Sequence, residues 1–431
     1  MESPRSSPSG SVRRHTRNIS HPTPQRATRG PLEPATDDPL ADASTGPPAR
    51  EIVSPTPSAE DNKPSTPQIA APVVNQNVRP NVDLRFLQDR QIYHSVTTED
   101  VPSAFLNSSH RPPVDTSLPQ LIQDGHFRRA AEFALRSLLQ SPPTAASQIF
   151  HLLYTRLACL ILVSRPDIAA AEAIPLFELT SRSAPGSQQI VDLIPWDLRL
   201  LLVRLQTIGA VDGGRRGIMA LYALASEVRA NIRLAQKDGD DSAIELWNTR
   251  LRDLGLRVSD ALVEMGELES AIRHLDTLPD VEADELSFRK AILRTRVGDV
   301  AAAQRCASVI QDDMKRREIE TLLKVADGDH DSALASWQAL VEDFPGREHF
   351  ALNAAVSLLY IGQIASARIM LERLTREVPA FSTVLFNLST VYELCTERAP
   401  EKKAALIQQA ATHQPNPASG GWERATFEFK L

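Results

Sequence analysis

Gly266-Glu-Leu-Glu-Ser-Ala271, Gly298-Asp-Val-Ala-Ala-Ala303, Gly328-Asp-His-Asp-Ser-Ala333 and Gly362-Gln-Ile-Ala-Ser-Ala367 repeat one phrase: a glycine, an apolar residue or histidine two positions on, then an alanine three further. Successive glycines of this set are 32, 30 and 34 residues apart. A further copy, Gly125-His-Phe-Arg-Arg-Ala130, stands well upstream. In three copies a proline follows the alanine by twelve residues: Pro142, Pro345 and Pro379.

Each position has a physical reason. The glycine ends a first helix in the left-handed conformation that residues with a side chain resist. The alanine lets a second helix approach the first closely. The bulky residue four later, Trp337 or Leu371, fills the space between neighbouring helices. The proline stops the second helix. One Gly-x-x-x-x-Ala means little, but four in near-register at this period spell the helix–turn–helix unit of about 34 residues known as the tetratricopeptide repeat. The fold expected is all-α: a tetratricopeptide-repeat α-solenoid, a right-handed superhelix. An irregular helical bundle is the competing architecture. Stacking such units makes the core and leaves a concave groove lined by first helices. Grooves of that kind take an extended peptide, a helix or another subunit.

Outward from the repeats the chain divides by composition. Regular repeats are expected over 241–415 and degenerate helical repeats over 117–240. Runs at 149–162, 198–208, 218–234, 244–265 and 350–361 place apolar residues at spacings of three and four. Residues 83–116 carry Leu84, Phe86, Leu87, Ile92, Tyr93, Val101, Phe105 and Leu106 without a clear period. They read as an extended arm packed on the solenoid, since linkers seldom hold so many large side chains. Residues 1–82 are rich in Pro, Ser, Thr and Arg, and bury too little to offset their ordering entropy, so they read as a disordered tail. The tail holds Ser-Pro and Thr-Pro pairs open to phosphorylation, among them Ser54-Pro55 and Thr66-Pro67. Residues 416–431 form a C-terminal tail in which Phe427, Phe429 and Leu431 alternate. It reads either as a strand-like docked segment or as a frayed end.

Composition excludes several functions. The net charge is −7 over 431 residues, and no dense basic patch marks the ordered part. Nucleic-acid binding, which needs clustered Lys and Arg, is therefore not expected. Three separated cysteines, Cys159, Cys306 and Cys395, give neither a disulfide framework nor a metal-ligand spacing. They read as buried free thiols in a reducing, cytoplasmic setting. No apolar run is long enough to span a bilayer.

Catalytic constellations are absent from the sequence. It has no phosphate loop, no His-Glu-x-x-His and no Gly-x-Ser-x-Gly. No enzyme activity, cofactor, metal or small-molecule substrate is expected, and His330 reads as structural in a repeat turn. Gly213-Gly-Arg-Arg-Gly217 precedes a helical run. With Arg215 and Arg216 it can hold a phosphate or a partner's carboxylate. The plainer reading is an inter-helix loop. Trp196, Trp247 and Trp337 lie in apolar helical patterns and read as core residues, with interface anchoring as the sharper alternative.

Several stretches resemble the subunit 12 family of the transport protein particle (TRAPP) tethering complex. They are Asn353-Ala-Ala-Val-Ser-Leu-Leu-Tyr-Ile-Gly362, and Val384-Leu-Phe-Asn-Leu-Ser-Thr-Val-Tyr-Glu-Leu394 followed by Lys402-Lys403. Leu246-Trp247 with Arg250-Leu251 and the Gly214–Gly217 loop also fit, so the likeness spans about 120–431. The resemblance implies an accessory scaffold in a membrane tether that activates a Rab-family GTPase. Such a complex acts between endoplasmic reticulum, Golgi and autophagic membranes. Its partners would be other TRAPP subunits, with weak peripheral membrane contact through the complex. Candidate partner-binding residues are Arg215, Arg216, Trp247, Arg250, Asn353, Asn387 and Tyr392. The rival reading is a general tetratricopeptide adaptor or co-chaperone. The largely uncharged first helix at 350–361 argues against a basic chaperone-tail clamp.

Overall fold

The computed structural model describes residues 82–181, 187–208, 214–278, 281–379, 381–415, 417 and 430. The Ser/Thr-Pro pairs of the N-terminal tail, Trp422, Phe427, Phe429 and Leu431 lie outside them. Among the described residues there are 19 α-helices and no strand. The short helix α1 (Ser103–Leu106) and α2 (Leu118–Gln123) precede the hairpin of α3 (Phe127–Gln140) and α4 (Ala146–Leu162). Shorter helices follow: α5 (Pro166–Glu172), α6 (Ile174–Ser181), α7 (Ser187–Leu193) and α8 (Trp196–Thr207). A long hairpin, α9 (Arg215–Asp238) and α10 (Asp241–Glu264), leads into the regular part. There, α11 (Leu268–Asp276), α12 (Ala283–Val297), α13 (Val300–Ser308), α14 (Asp313–Ala326) and α15 (His330–Asp343) follow in turn. The series ends with α16 (Glu348–Tyr360), α17 (Ile364–Glu377), α18 (Ser382–Cys395) and α19 (Ala399–Ala410). From α8 onward each helix packs against the next along the chain. The architecture is a tetratricopeptide-repeat α-solenoid.

The repeat phrase sits where helices turn. Gly125, Gly266, Gly298, Gly328 and Gly362 have φ of 77°, 79°, 89°, 80° and 85°. At Gly298 the backbone closes a Schellman motif, with Asp299 N–H donating to Arg294 O at 2.9 Å and Gly298 N–H to Thr295 O at 3.1 Å. The same pair of bonds recurs at Gly328 and Gly362. A Cβ added at Gly298 or Gly328 would meet nothing within 4 Å, so the dihedral angle, not space, demands glycine. The next residue then starts the second helix. Asp299 and Asp329 accept from the backbone N–H of Ala302 (3.0 Å) and Ser332 (3.1 Å), as N-caps do. Helix α15 stops two residues before Pro345, and α17 two residues before Pro379.

The alanines are enclosed between packed helices. Ala130, Ala271, Ala303, Ala333 and Ala367 have no exposed surface. Around Ala333, Trp337 and Phe350 stack with ring centroids 5.8 Å apart, and Ala354 completes the layer. Buried layers of this kind succeed one another from α11 to α19, each shared between neighbouring helices. The cysteines are not uniformly buried as the sequence suggested. Cys159 is buried, Cys306 is half-buried and Cys395 is exposed, because it falls in the last, solvent-facing position of α18.

Residues 83–116 tie the two ends of the array together. The segment holds two 3-10 turns, Arg85–Gln88 and Arg90–Ile92, as well as α1. Leu84 and Leu87 are buried against α3 and α4, and Gln88 Nε2 donates to Leu138 O and Ser141 O at the end of α3. Farther along, the backbone of His94 meets a buried ion pair. Glu172 and Arg156 are 0% and 1% exposed at the side chain and join at 2.7 Å. Glu172 Oε1 accepts from His94 N–H (2.9 Å), and Arg156 Nη2 donates to His94 O (2.7 Å). Beyond this clasp, Val101 and Phe105 enter the apolar cluster of α16–α19, beside Leu388, Leu406 and Ala410. Ser108 Oγ donates to Ala411 O at 2.7 Å, and Arg129 on α3 holds the carbonyls of Pro112 and Pro113.

Two outcomes test this account. Ala333→Arg overpacks a fully buried layer and unfolds α14–α17, whereas Gly328→Ala costs only about 1–2 kcal/mol; circular dichroism melts that rank the two the other way would contradict the repeat geometry. Phe105→Ala removes about 3 kcal/mol of packing between arm and α18–α19. Hydrogen exchange should then accelerate in α1 and α19 and stay unchanged in α10; uniform protection would show that the arm does not hold the last helices.

Candidate protein-binding surface

The expected partner-binding residues fall into separate places. Arg215 and Arg216 are exposed at the start of α9, which Gly214 opens at a φ of 85° with Met265 packed against it. Gly217 has a different reason to be glycine: a Cβ there would lie 1.9 Å from Thr207 Cγ2, so α9 and α8 touch through it. Trp247 and Arg250 stand toward the other end of the α9–α10 hairpin, 17 and 14 residues before the end of α10 that lies beside Gly214, or about 21–26 Å along the helix. Asn353 and Asn387 occupy equivalent, half-buried positions on α16 and α18. Tyr392 is no surface residue. It is 6% exposed, and its hydroxyl hydrogen-bonds to Glu372 Oε1 at 3.2 Å, joining α18 to α17. Burial, with Glu372 adding to it, pushes its phenol above the ordinary range.

One group among these forms a constellation. Trp247 and Arg250 are three residues apart on α10 and share a face. Trp196, the first residue of α8, meets Trp247 edge to face, with centroids 6.2 Å apart and planes at 87°. The Arg250 guanidinium lies over both rings, 4.5 Å from the Trp247 centroid and 5.0 Å from that of Trp196. Arg199, 5.8 Å from the Trp196 centroid, is neutralised by Glu227 through bonds of 2.7 and 2.5 Å. Among the described residues Arg250 has no such carboxylate. Burial lowers its pKa from the ordinary value, with Asp197 opposing the shift and Arg199 reinforcing it. Both tryptophans are half-buried, resting on the α8–α10 core, and Leu246 beside them is half exposed.

The chemistry of this group is recognition. Two indole rings flank the guanidinium, and among the described residues its N–H groups have no hydrogen-bond partner, so they can meet a carboxylate or phosphate fork. Tryptophan and arginine also dominate the energetics of protein interfaces. The sequence signalled Trp247 and Arg250 as partner-binding and Trp196 as core or interface anchor, but not that α8 brings Trp196 and Arg199 onto the Trp247–Arg250 face. Among the described residues, no group of three or more His, Cys, Asp or Glu could hold a metal ion, and no helix is long and apolar enough to cross a membrane.

Comparison with known proteins follows the same direction as the fold. Mouse trafficking protein particle complex subunit 12 is 24% identical, over 72% of this chain and 44% of its own length. The human protein of that name is 24% identical, over 68% of this chain and 46% of its own length. The chain resembles TRAPP subunit 12. It spans about half the length of these relatives. No protein-family model matches. Among solved structures, a tetratricopeptide repeat protein of Parabacteroides merdae aligns with 99% of its length and 61% of this chain, at 13% identity and a TM-score of 0.38. The tetratricopeptide domain of P58(IPK) aligns with 96% of its length and 73% of this chain, at 14% identity and a TM-score of 0.20. Both scores are below 0.5, and the fold assignment rests on the helices themselves.

Arg250→Gln removes the cation from between the two rings. Tryptophan emission should change while thermal stability falls by less than about 1 kcal/mol, the worth of an accessible cation–π contact. A loss of several kcal/mol would make the group a structural element of the α8–α10 joint and not a recognition surface.

Proposed function

We propose that the chain is a non-catalytic scaffold subunit of a TRAPP-type vesicle-tethering complex. The complex activates a Rab-family GTPase in endoplasmic reticulum-to-Golgi and autophagy-related traffic, at the cytoplasmic side of Golgi membranes. The observation that carries the reading is similarity to subunit 12 over about 70% of the chain, along an array built to hold proteins. The Trp196–Arg250–Trp247 group is its best-formed contact surface. Arg215, Arg216, Asn353 and Asn387 are secondary contacts, and membrane contact comes through the complex.

The chaperone-adaptor reading has less support. Helix α16 carries Glu348 as its only acid and no Lys or Arg, and α18 carries Glu393 alone, so these first helices offer no basic clamp. Affinity purification from native cytosol decides between the readings. Recovery of small TRAPP subunits in stoichiometric amount, reduced about tenfold or more by Arg250→Gln, is the expected result. Chaperones without TRAPP subunits would overturn it.

A further inference from the structure

Where the arm crosses the start of α3 it leaves a cavity of about 280 Å³. Val101, Phe105 and Leu106 of the arm give it an apolar floor. Its walls are cationic: Arg111 from the arm, and Arg128, Arg129 and Arg136 from α3. Glu132 is the one carboxylate in the lining. Arg129, Glu132 and Arg136 recur at spacings of three and four and so share one face of α3.

The charges on this face are not offset by the fold. Arg129 gives its guanidinium to the carbonyls of Pro112 and Pro113, which fix its plane but carry no charge. Among the described residues, neither Arg111, Arg129 nor Arg136 has a carboxylate within ion-pair distance. Glu132 lies on the same face and pairs with none of them. Arg129 stands in the first turn of α3, at the positive end of the helix dipole, where a cation is disfavoured and an anion stabilised. Like charges gathered at such an end repel one another unless an anion sits between them.

We propose that this cavity binds a phosphate group. Arg111 and Arg136 offer guanidinium forks and Arg129 adds a third positive charge, against one carboxylate, a set that suits a dianion better than a singly charged carboxylate. The volume is at the small-ligand scale and takes a single phosphorylated group, with the apolar floor under its organic part. Because one wall is the arm and the other is α3, the bound group links them. The site is independent of the Trp196–Arg250–Trp247 surface and of the TRAPP reading.

Calorimetric titration of the full chain with inositol hexakisphosphate and with inorganic phosphate tests the site. Binding should weaken as salt rises, and Arg136→Gln and Arg111→Gln, both exposed positions, should each lower affinity about tenfold. Arg233→Gln, exposed on α9, should leave it unchanged. Flotation with phosphatidylcholine vesicles, with and without a phosphoinositide, identifies the source. Phosphoinositide-dependent flotation lost in Arg136→Gln assigns the site to a lipid headgroup. Binding of the soluble anions without flotation assigns it to a free phosphate compound. No binding of any probe, or binding equal in Arg136→Gln, Arg111→Gln and the parent chain, would overturn the proposal.

Discussion

No helix pair of this array can cover its own apolar face. A two-helix unit presents one side to its predecessor and one to its successor, and its alanine and bulky core residue are useful only when both neighbours are present. The constraint leaves uncovered surface at each end of a stack. Here one segment serves both ends. Leu84 and Leu87 cover α3 and α4, and some twenty residues later Val101 and Phe105 enter the layer shared by α16–α19. The repeats between are thus held from both sides, and fraying from either end must first displace the arm.

The Arg156–Glu172 pair explains why the arm sits in one register. A buried ion pair contributes little net stability, because desolvation of both groups offsets their attraction. Removal of one partner is costly, since it strands a charge. In this structure Arg156 also donates to Ala131 O on α3, and the pair gives one further donor and one acceptor to the two backbone groups of a single arm residue, His94. Shifting the arm by one residue would leave those buried groups unsatisfied, although the apolar side chains of a flexible segment could repack. Hydrophobic contacts attach the arm, and the ion pair decides where.

The parts of this fold that were legible in the sequence are local ones. A glycine that must turn left-handed and an alanine five residues after it act within one helix–turn–helix junction, so their spacing is written in the chain; the capping role of Asp299 and Asp329 emerged only with the structure. Trp337 was legible as core for the same reason: its partners belong to its own and the adjoining helices. Cys395 was misread because the buried face of α18 ends at Val391 and Tyr392, and the last turn, Leu394 included, faces solvent. The attachments of the arm were beyond reach. His94 meets Arg156 and Glu172, and Ser108 meets Ala411, through contacts set by how the solenoid curves. Trp196 was seen as a core aromatic, but nothing near it in the chain announces Arg250.

The two cationic features of the molecule differ in what they can transmit. Arg250 is held between rings on α8 and α10, elements that pack firmly on one core, so a carboxylate bound there gains a rigid anchor and changes little else. The arginines at α3 face a cavity whose opposite wall is the arm. An anion that binds only when arm and α3 are together stabilises that arrangement by RT ln(1 + [L]/Kd), about 2.7 kcal/mol at a hundredfold excess over Kd. That is comparable with the packing of one large side chain such as Phe105. Occupancy of the cavity would therefore act on the same equilibrium as the clasp at His94, namely whether the first and last helix pairs are joined, and would leave the Trp196–Arg250–Trp247 surface as it is.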